Sequence, residues 1–336
     1  MTADRPSDRW TDEEVRALVD EARAEARAEV KARLREAYAR ALAGRVEALA
    51  AGRTTGAVAE VARDRPAGTA GALWYVYGIV AAADLPRTAG LEPVPGGGPV
   101  TAIEHERLAA VASPVPDREY APEALVRGLN DRAWLELVAR AHERVLGSLL
   151  PRAVVPLRLC SVFSAPERVV ELLDERSGAL YKALGRVVGR TELGVKVLVD
   201  PPALRRAAAD AVGPGPATAG EGSAYLAGRA RRRQLDDRAR ELAGRVAAAV
   251  HARLAGFAVD AVRGRPQPRE LTGEDRWMAL NGSYLVDLAT TDAFAAEVGR
   301  LGSRFRPAGV ELALTGPWAP YSFTRLGDGT GREEAE

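Results

Sequence analysis

The sequence has a single cysteine, Cys160, among its 336 residues, and only three histidines. One thiol cannot close an internal disulfide, and no Cys or His pair stands at zinc-ligand spacing, so a reducing cytoplasm is the expected setting. Charge of either sign is not in excess: 47 Lys and Arg face 46 Asp and Glu, a net charge of +1. A chain so balanced projects no overall field toward nucleic acid or an anionic membrane, and partners must be recognised by local surfaces. Long apolar runs are missing too. The longest, 72–83, is interrupted by Gly78 and ends before Asp84, short of the roughly 18 to 20 residues that cross a bilayer. The polar, acidic N-terminus lacks the basic start and apolar stretch of a secretory signal. No membrane insertion is expected. The triple glycine at 96–98 has no Gly-Lys-Ser/Thr ending and no helix behind it, so it is a turn and not a phosphate cradle. No cofactor is expected.

What is present is the composition of a folded chain: 47% hydrophobic and 28% charged residues, with length for two ordinary domains. Residues 11–51 are Ala, Arg and Glu almost throughout, without proline, and Thr11 followed by Asp12, Glu13 and Glu14 is a good helix start. One long helix is expected. Its apolar stripe, from Val15 through Ala22, Ala26, Leu34 and Leu42 to Leu49, recurs about every 3.8 residues rather than at the 3.5 of a left-handed coiled coil. Half alanine, the stripe suits a shallow contact or a solvated extension. Residues 52–72, rich in Gly, Thr and Ala, read as a linker. The first 70 residues are thus an N-terminal helical extension.

Beyond it, LWYVYGIVAA (73–82) has the β-branched and aromatic content of a buried strand, and VTAIEHERLAAVASPV reads as a hairpin turning at Glu106 and Arg107. Pro122 opens a helical stretch with Trp134, Val138, Ala141, Val145 and Leu149 on one face. AVVPLRLCSVF (153–163) reads as one strand, 165–188 as helix and TELGVKVLVD (191–200) as a strand. A loop at 213–222 precedes a long helix over 223–254, the strand FAVDAVRG, a strand in RWMALNGSYLVDL, a helix over about 291–301 and the final strand VELALTG. The expected fold is α+β. An N-terminal α+β domain covers 71–190, and 191–326 form a second α+β domain with the ferredoxin-like order βαββαβ, the strand 191–200 opening it. A disordered tail is expected at 327–336.

Candidate functional residues are few. His105, His142 and His251 form no grouping, and His142 borders an apolar helix face. Cys160, expected inside a strand, resembles a small core residue. Arg158, in the same expected strand, requires a buried ion pair or, failing that, an anion or a partner's carboxylate. In RARRRQLDDRARE (229–241) the acidic residues follow the arginines by about one turn, which makes a self-paired solvated face. No His, Cys or carboxylate cluster stands at catalytic spacing. TGPWAPYSF (315–323) concentrates three aromatics in a chain that is only 5% aromatic. Gly316 and Pro317 end the last strand, Pro320 sets a second bend, and Trp318, Tyr321 and Phe323 are expected to fold back across the domain boundary as a corner rather than form a ligand loop.

Taken in order, LWYVYGIV, AHERVLGSLL before AVVPLRLCSVF, TELGVKVLVD, MALNGSYLVD and TGPWAPYSF resemble the GvpF/GvpL gas vesicle proteins. The resemblance runs from 73 to the PWAPYSF segment and leaves the helix at 11–51 outside it. It implies a cytoplasmic, non-enzymatic protein of two α+β domains, needed to build the gas vesicle as an assembly factor or minor component. It further implies contact with the small hydrophobic shell protein and other gas vesicle proteins. The rival is a small-molecule-binding or enzymatic protein with a pocket between the domains, near Arg158, His142 and the C-terminal aromatics.

Overall fold

A computed structural model describes residues 72–210, 221–266 and 276–324. The N-terminal helix expected at 11–51, the linker after it and the tail at 327–336 lie outside the described residues.

The described chain is α+β, with two antiparallel sheets and their helices. The first sheet is centred on β1 (Leu73–Ala81), which pairs along its length with β3 (Leu108–Val115); β2 (Thr101–His105) adds the outer strand. The hairpin turns at Glu106 and Arg107, where Glu106 takes a φ of 52°. On the other side of β1 lie two short pieces, β4 (Val155–Pro156) and β5 (Val162–Phe163). These two pieces replace the single strand expected over 153–163. Both pair with β1, and residues 157–161 swing out between them, with Cys160 at a φ of 63° in the left-handed region. The backbone still reaches β1 at the two ends of the excursion, since Leu157 N donates to Tyr77 O and Val76 N to Ser161 O.

The helices cover this sheet on both faces. α1 (Pro122–Asn130) starts with its proline at the first turn, where no N–H is needed. Asp131 then divides what sequence reading joined: its carboxylate accepts from Ala133 N (2.9 Å) and Trp134 N (3.3 Å), capping α2 (Arg132–Leu149). Val138, Ala141, Val145 and Leu146 of α2 pack on Tyr75, Tyr77 and Val80 of β1. The opposite face of β1, Val76 and Ile79, meets α3 (Pro166–Glu175) and α4 (Ser177–Val187) through Val169, Leu173, Leu180 and Leu184.

The second sheet has the order β7-β8-β6-β9, all antiparallel: β6 (Arg190–Val199), β7 (Asp260–Gly264), β8 (Trp277–Asp287) and β9 (Val310–Trp318). α5 (Pro201–Asp210) and α6 (Glu221–Ala255) separate β6 from β7, and α7 (Thr291–Phe305) separates β8 from β9. β7 starts three residues later than the expected FAVDAVRG, because Phe257 N and Ala258 N still donate to Leu254 O and Ala255 O at the end of α6. Val195, Val197 and Val199 of β6, with Val310 of β9, face Val250 and Leu254 of α6 and Phe294 and Val298 of α7. Glu297 of α7 is held between Arg253 (2.7 Å) and Arg300 at the rim of this core. Hydrogen bonds from these two guanidinium groups hold its carboxyl down at about 2.

Candidate functional site

The aromatic segment at the chain end lies where the two halves meet. β9 does not stop at Gly316 and Pro317, as sequence reading placed it, but continues to Trp318, which pairs with Glu192 of β6. The register slips between Glu192 and Gly194, and Gly316 takes up the extra length at a φ of 111°. A Cβ there would come within 2.9 Å of Glu192 O, so this position needs glycine on both counts. Pro317 is exposed. Trp318 is 8% exposed, and its indole N–H donates to Thr315 Oγ1 at 3.3 Å. Thr315 in turn crosses to Gly194, where a Cβ would approach Oγ1 to 2.4 Å. Aromatic, threonine and glycine thus fit as one unit across two strands.

After Trp318 the chain turns back onto the first half. Phe323 N and Thr324 Oγ1 both donate to Pro320 O, which closes the turn. Ala319 joins the core beneath Tyr75 and Tyr77, and Phe323 joins the cluster of Val76, Leu180 and Leu285. The buried carboxylate of Glu192 accepts from Ser322 N (2.9 Å) and Ser322 Oγ (2.7 Å). It thereby ties the turn to the first residues of β6 with charge-assisted bonds.

Tyr321 completes a buried chain of polar groups. Cys160 N donates to Tyr75 Oη (3.1 Å), Tyr75 Oη lies 2.9 Å from His142 Nδ1, His142 Nε2 lies 2.9 Å from Tyr321 Oη, and Tyr321 Oη donates to Glu143 Oε1 at 3.1 Å. The direction follows from the last bond. A carboxylate only accepts, so the Tyr321 proton is committed to Glu143, and His142 Nε2 must be the donor to Tyr321. His142 Nδ1 stands within hydrogen-bond distance of the Tyr75 hydroxyl, and His142, 1% exposed, joins β1, α2 and the chain end. Burial keeps the Tyr75 phenol well above its ordinary value, so it remains a donor.

Of the residues singled out in the sequence, the structure brings together Trp318, Tyr321, Phe323 and His142, with Cys160 at the end of the chain of bonds. Burial raises the Cys160 thiol to about 12. Arg158 stands apart. It is exposed at the tip of the 157–161 excursion, where its carbonyl accepts from Ser161 N and Oγ, so the burial that would demand an ionic partner does not arise. His105 faces Asp174 across 3.4 Å at the surface, and His251 Nδ1 lies 3.0 Å from Tyr284 Oη. Sequence reading missed Tyr75, Glu143, Glu192 and Ser322. The alternation of β6 gave no signal for Glu192, which shares the side of Gly194 and Lys196 and not that of Val195 and Val197. A cavity of about 210 Å³ lies elsewhere, lined by Pro201, Arg205, Asp236, Ala239, Arg240 and Trp277 in the second half. Among the described residues no group of three or more His, Cys, Asp or Glu could hold a metal ion, and no helix is long and apolar enough to cross a membrane.

Comparison with known proteins matches the family described as Gas vesicle synthesis protein GvpL/GvpF over residues 73–325. The chain belongs to the GvpL/GvpF family. Gas vesicle protein L of Streptomyces sp. (strain CB03234) is 32% identical over 257 residues, 76% of this chain and 94% of that protein. Gas vesicle protein F1 of Halobacterium salinarum (strain ATCC 700922 / JCM 11081 / NRC-1) is 24% identical over 264 residues, 77% of this chain and 96% of that protein. The crystal structure of GvpF from Anabaena sp. PCC7120 superposes with a TM-score of 0.56 at 20% identity, covering 77% of this chain and 98% of that one. GvpF from Microcystis aeruginosa gives 0.55 at 17% identity, over 76% of this chain and all of that one. The GvpL/GvpF match thus ends just past Thr324, the last residue of the turn that His142 and Glu192 hold in place.

Proposed function

We propose that this GvpL/GvpF protein is a non-enzymatic assembly factor or minor structural component of gas vesicles that binds the small hydrophobic shell protein in the cytoplasm. The observation that carries the reading is the family match over 73–325, with nearly the whole length of the gas vesicle relatives covered. Physical chemistry gives such a protein a task. A shell subunit with an apolar, water-repelling surface aggregates until it is incorporated, and a folded partner that covers that surface prevents wrong pairing.

The interior also supports a non-catalytic role. The histidine bonded to Tyr321 has both ring nitrogens engaged in fastening the fold, and the Cys160 thiol is held protonated by burial. The element order and strand order of the second half support reading it as a ferredoxin-like domain over 191–326, paired with the α+β domain at 71–190. The exposure of Arg158 on its loop and of Pro317 beside Trp318 supports reading these two sequence-selected residues as partner contacts.

The test is co-purification of tagged protein with the shell protein from cells expressing the vesicle gene set, alongside vesicle formation in cells lacking this protein. Retention of the shell protein and loss of vesicles on deletion are expected. Normal vesicles without the protein, or no retention under conditions that preserve its fold, would sink the proposal.

A further inference from the structure

Residues 229–241, expected to pair their own charges along one helix face, do so only in part. Asp236 of α6 reaches across to Arg205 of α5, while Asp237 pairs forward with Arg240 and Glu241 with Arg245. The carboxylates are thereby drawn away from the start of the run. Arg229, Arg232 and Arg233 stand exposed, with no acidic partner among the described residues. Steps of three and four residues set these arginines on the side of α6 that continues to Asp236 and Arg240. That side leads to the cavity of about 210 Å³, where Arg205 of α5 and Arg240 of α6 meet Trp277 of β8.

Trp277 gives this cavity an unused donor. It opens β8 opposite Val199, its ring packs against the second core, and its indole N–H is buried without an acceptor among the described residues. A buried N–H left unmatched is costly, so an acceptor at this wall gains more than it would at the open surface. The guanidinium groups add donors. Asp236 takes Arg205 Nε and Asp237 takes one terminal nitrogen of Arg240, which leaves further N–H groups on both. We propose that the cavity and the arginine stripe leading to it bind an acidic segment of a partner protein, with one carboxylate seated beside Trp277 and others along Arg229, Arg232 and Arg233. Charge complementarity favours separate carboxylates over nucleic acid. Asp236 and Asp237 interrupt the stripe and would repel a continuous row of phosphates, and the Trp277 ring, packed on the core, offers no platform on which a base could stack. The site does not depend on the shell protein being the partner.

The experiment titrates the isotope-labelled full chain with a hexaglutamate peptide blocked at both ends. It follows the Trp277 indole N–H resonance, identified among the five tryptophans by its loss in Trp277→Phe. That resonance is expected to shift and saturate. Calorimetry with the same peptide is expected to show binding weakened by about tenfold when Arg229→Gln, Arg232→Gln and Arg233→Gln are combined, all at exposed positions. Trp277→Phe is expected to weaken it by about threefold or more. An unmoved indole resonance, or an affinity unchanged by the three arginine substitutions, would overturn the proposal, and Trp277→Phe binding as tightly as the parent would remove the cavity from it. Acetate that saturates the same shift at equal carboxylate concentration would make this a small-molecule site. Oligothymidylate that binds more tightly than the peptide would make it a nucleic-acid surface, and either result overturns the protein partner.

Discussion

The two sheets of this protein are made of strands of different character. β1, LWYVYGIVA, is apolar nearly throughout and is buried on both sides, by α2 on one face and α3 and α4 on the other. β6, RTELGVKVLV, alternates from Glu192 onward: its Leu193, Val195, Val197 and Val199 side enters a core, and on the other side Glu192 is buried while Gly194, Lys196 and Leu198 stay partly exposed. A strand covered twice must be apolar at every position, whereas a strand covered once needs an apolar residue only at every second one. The difference teaches where polar groups are costly. In the first sheet the Tyr75 and Tyr77 hydroxyls had to find partners inside, His142 and Ser113. In the second, Lys196 and Ser283 are partly exposed, and Glu192, on the same side as Lys196, is buried by the turn that carries Ser322 and accepts from it.

The sharpest way to break this comparison is to put the same charge into both sheets. Val76→Asp places an unpaired carboxylate in a side chain with no exposure, between two layers of helix, and is expected to cost at least about 4 kcal/mol or prevent folding. Ser283→Asp, at a partly exposed position of β8, is expected to cost less than about 1 kcal/mol. Urea denaturation of both measures the contrast, and comparable losses would show that the two sheets are covered alike.

Next in size is the joint between the halves. Trp318→Ala removes an indole that is 8% exposed and is expected to destabilise by about 3 to 5 kcal/mol. A midpoint equal to the parent's would move this segment from the fold to the interaction surface. Tyr321→Phe keeps the ring and removes the hydroxyl that links His142 to Glu143, with an expected loss of about 1 to 3 kcal/mol. Vesicle formation is expected to follow stability in both variants rather than to fail while the fold is intact.

A smaller effect belongs to the rim of the second core. Glu297 is held at about 2 against an ordinary 4.5. A carboxyl whose folded value is depressed stabilises the fold fully above its unfolded value, and that contribution is lost as pH falls from about 4.5 toward about 2. Glu297→Gln is expected to flatten the pH dependence of stability within that window and leave it unchanged above. The smallest signal is expected from Cys160. With its thiol at about 12, it should resist iodoacetamide at pH 8 in the native state and react on unfolding. Rapid native alkylation would mean that the loop 157–161 opens readily.

Several features were legible in the residues alone. The continuous apolar run of β1, the Glu106 and Arg107 turn, the prolines at the starts of α1 and α3 and the alternation of β6 and β9 each express a local rule, so element type and order followed from sequence. The ordered motifs identified the family for the same reason. The misreadings share one cause, competition from tertiary contacts. Residues 153–163 have strand composition, yet they leave the sheet at 157–161 and bring Cys160 N to the Tyr75 hydroxyl. That excursion exposes Arg158, which composition placed inside. β9 runs past Gly316 because Glu192 is there to pair with Trp318. Only the tertiary structure decided that His142, Tyr75 and Tyr321 form a single chain of bonds. Tyr321 and His142 are 179 positions apart, and no local periodicity records which buried donor will find which acceptor. What periodicity does record is how many faces of each strand will be dry, because each position must be paired with water or with the core wherever the chain carries it.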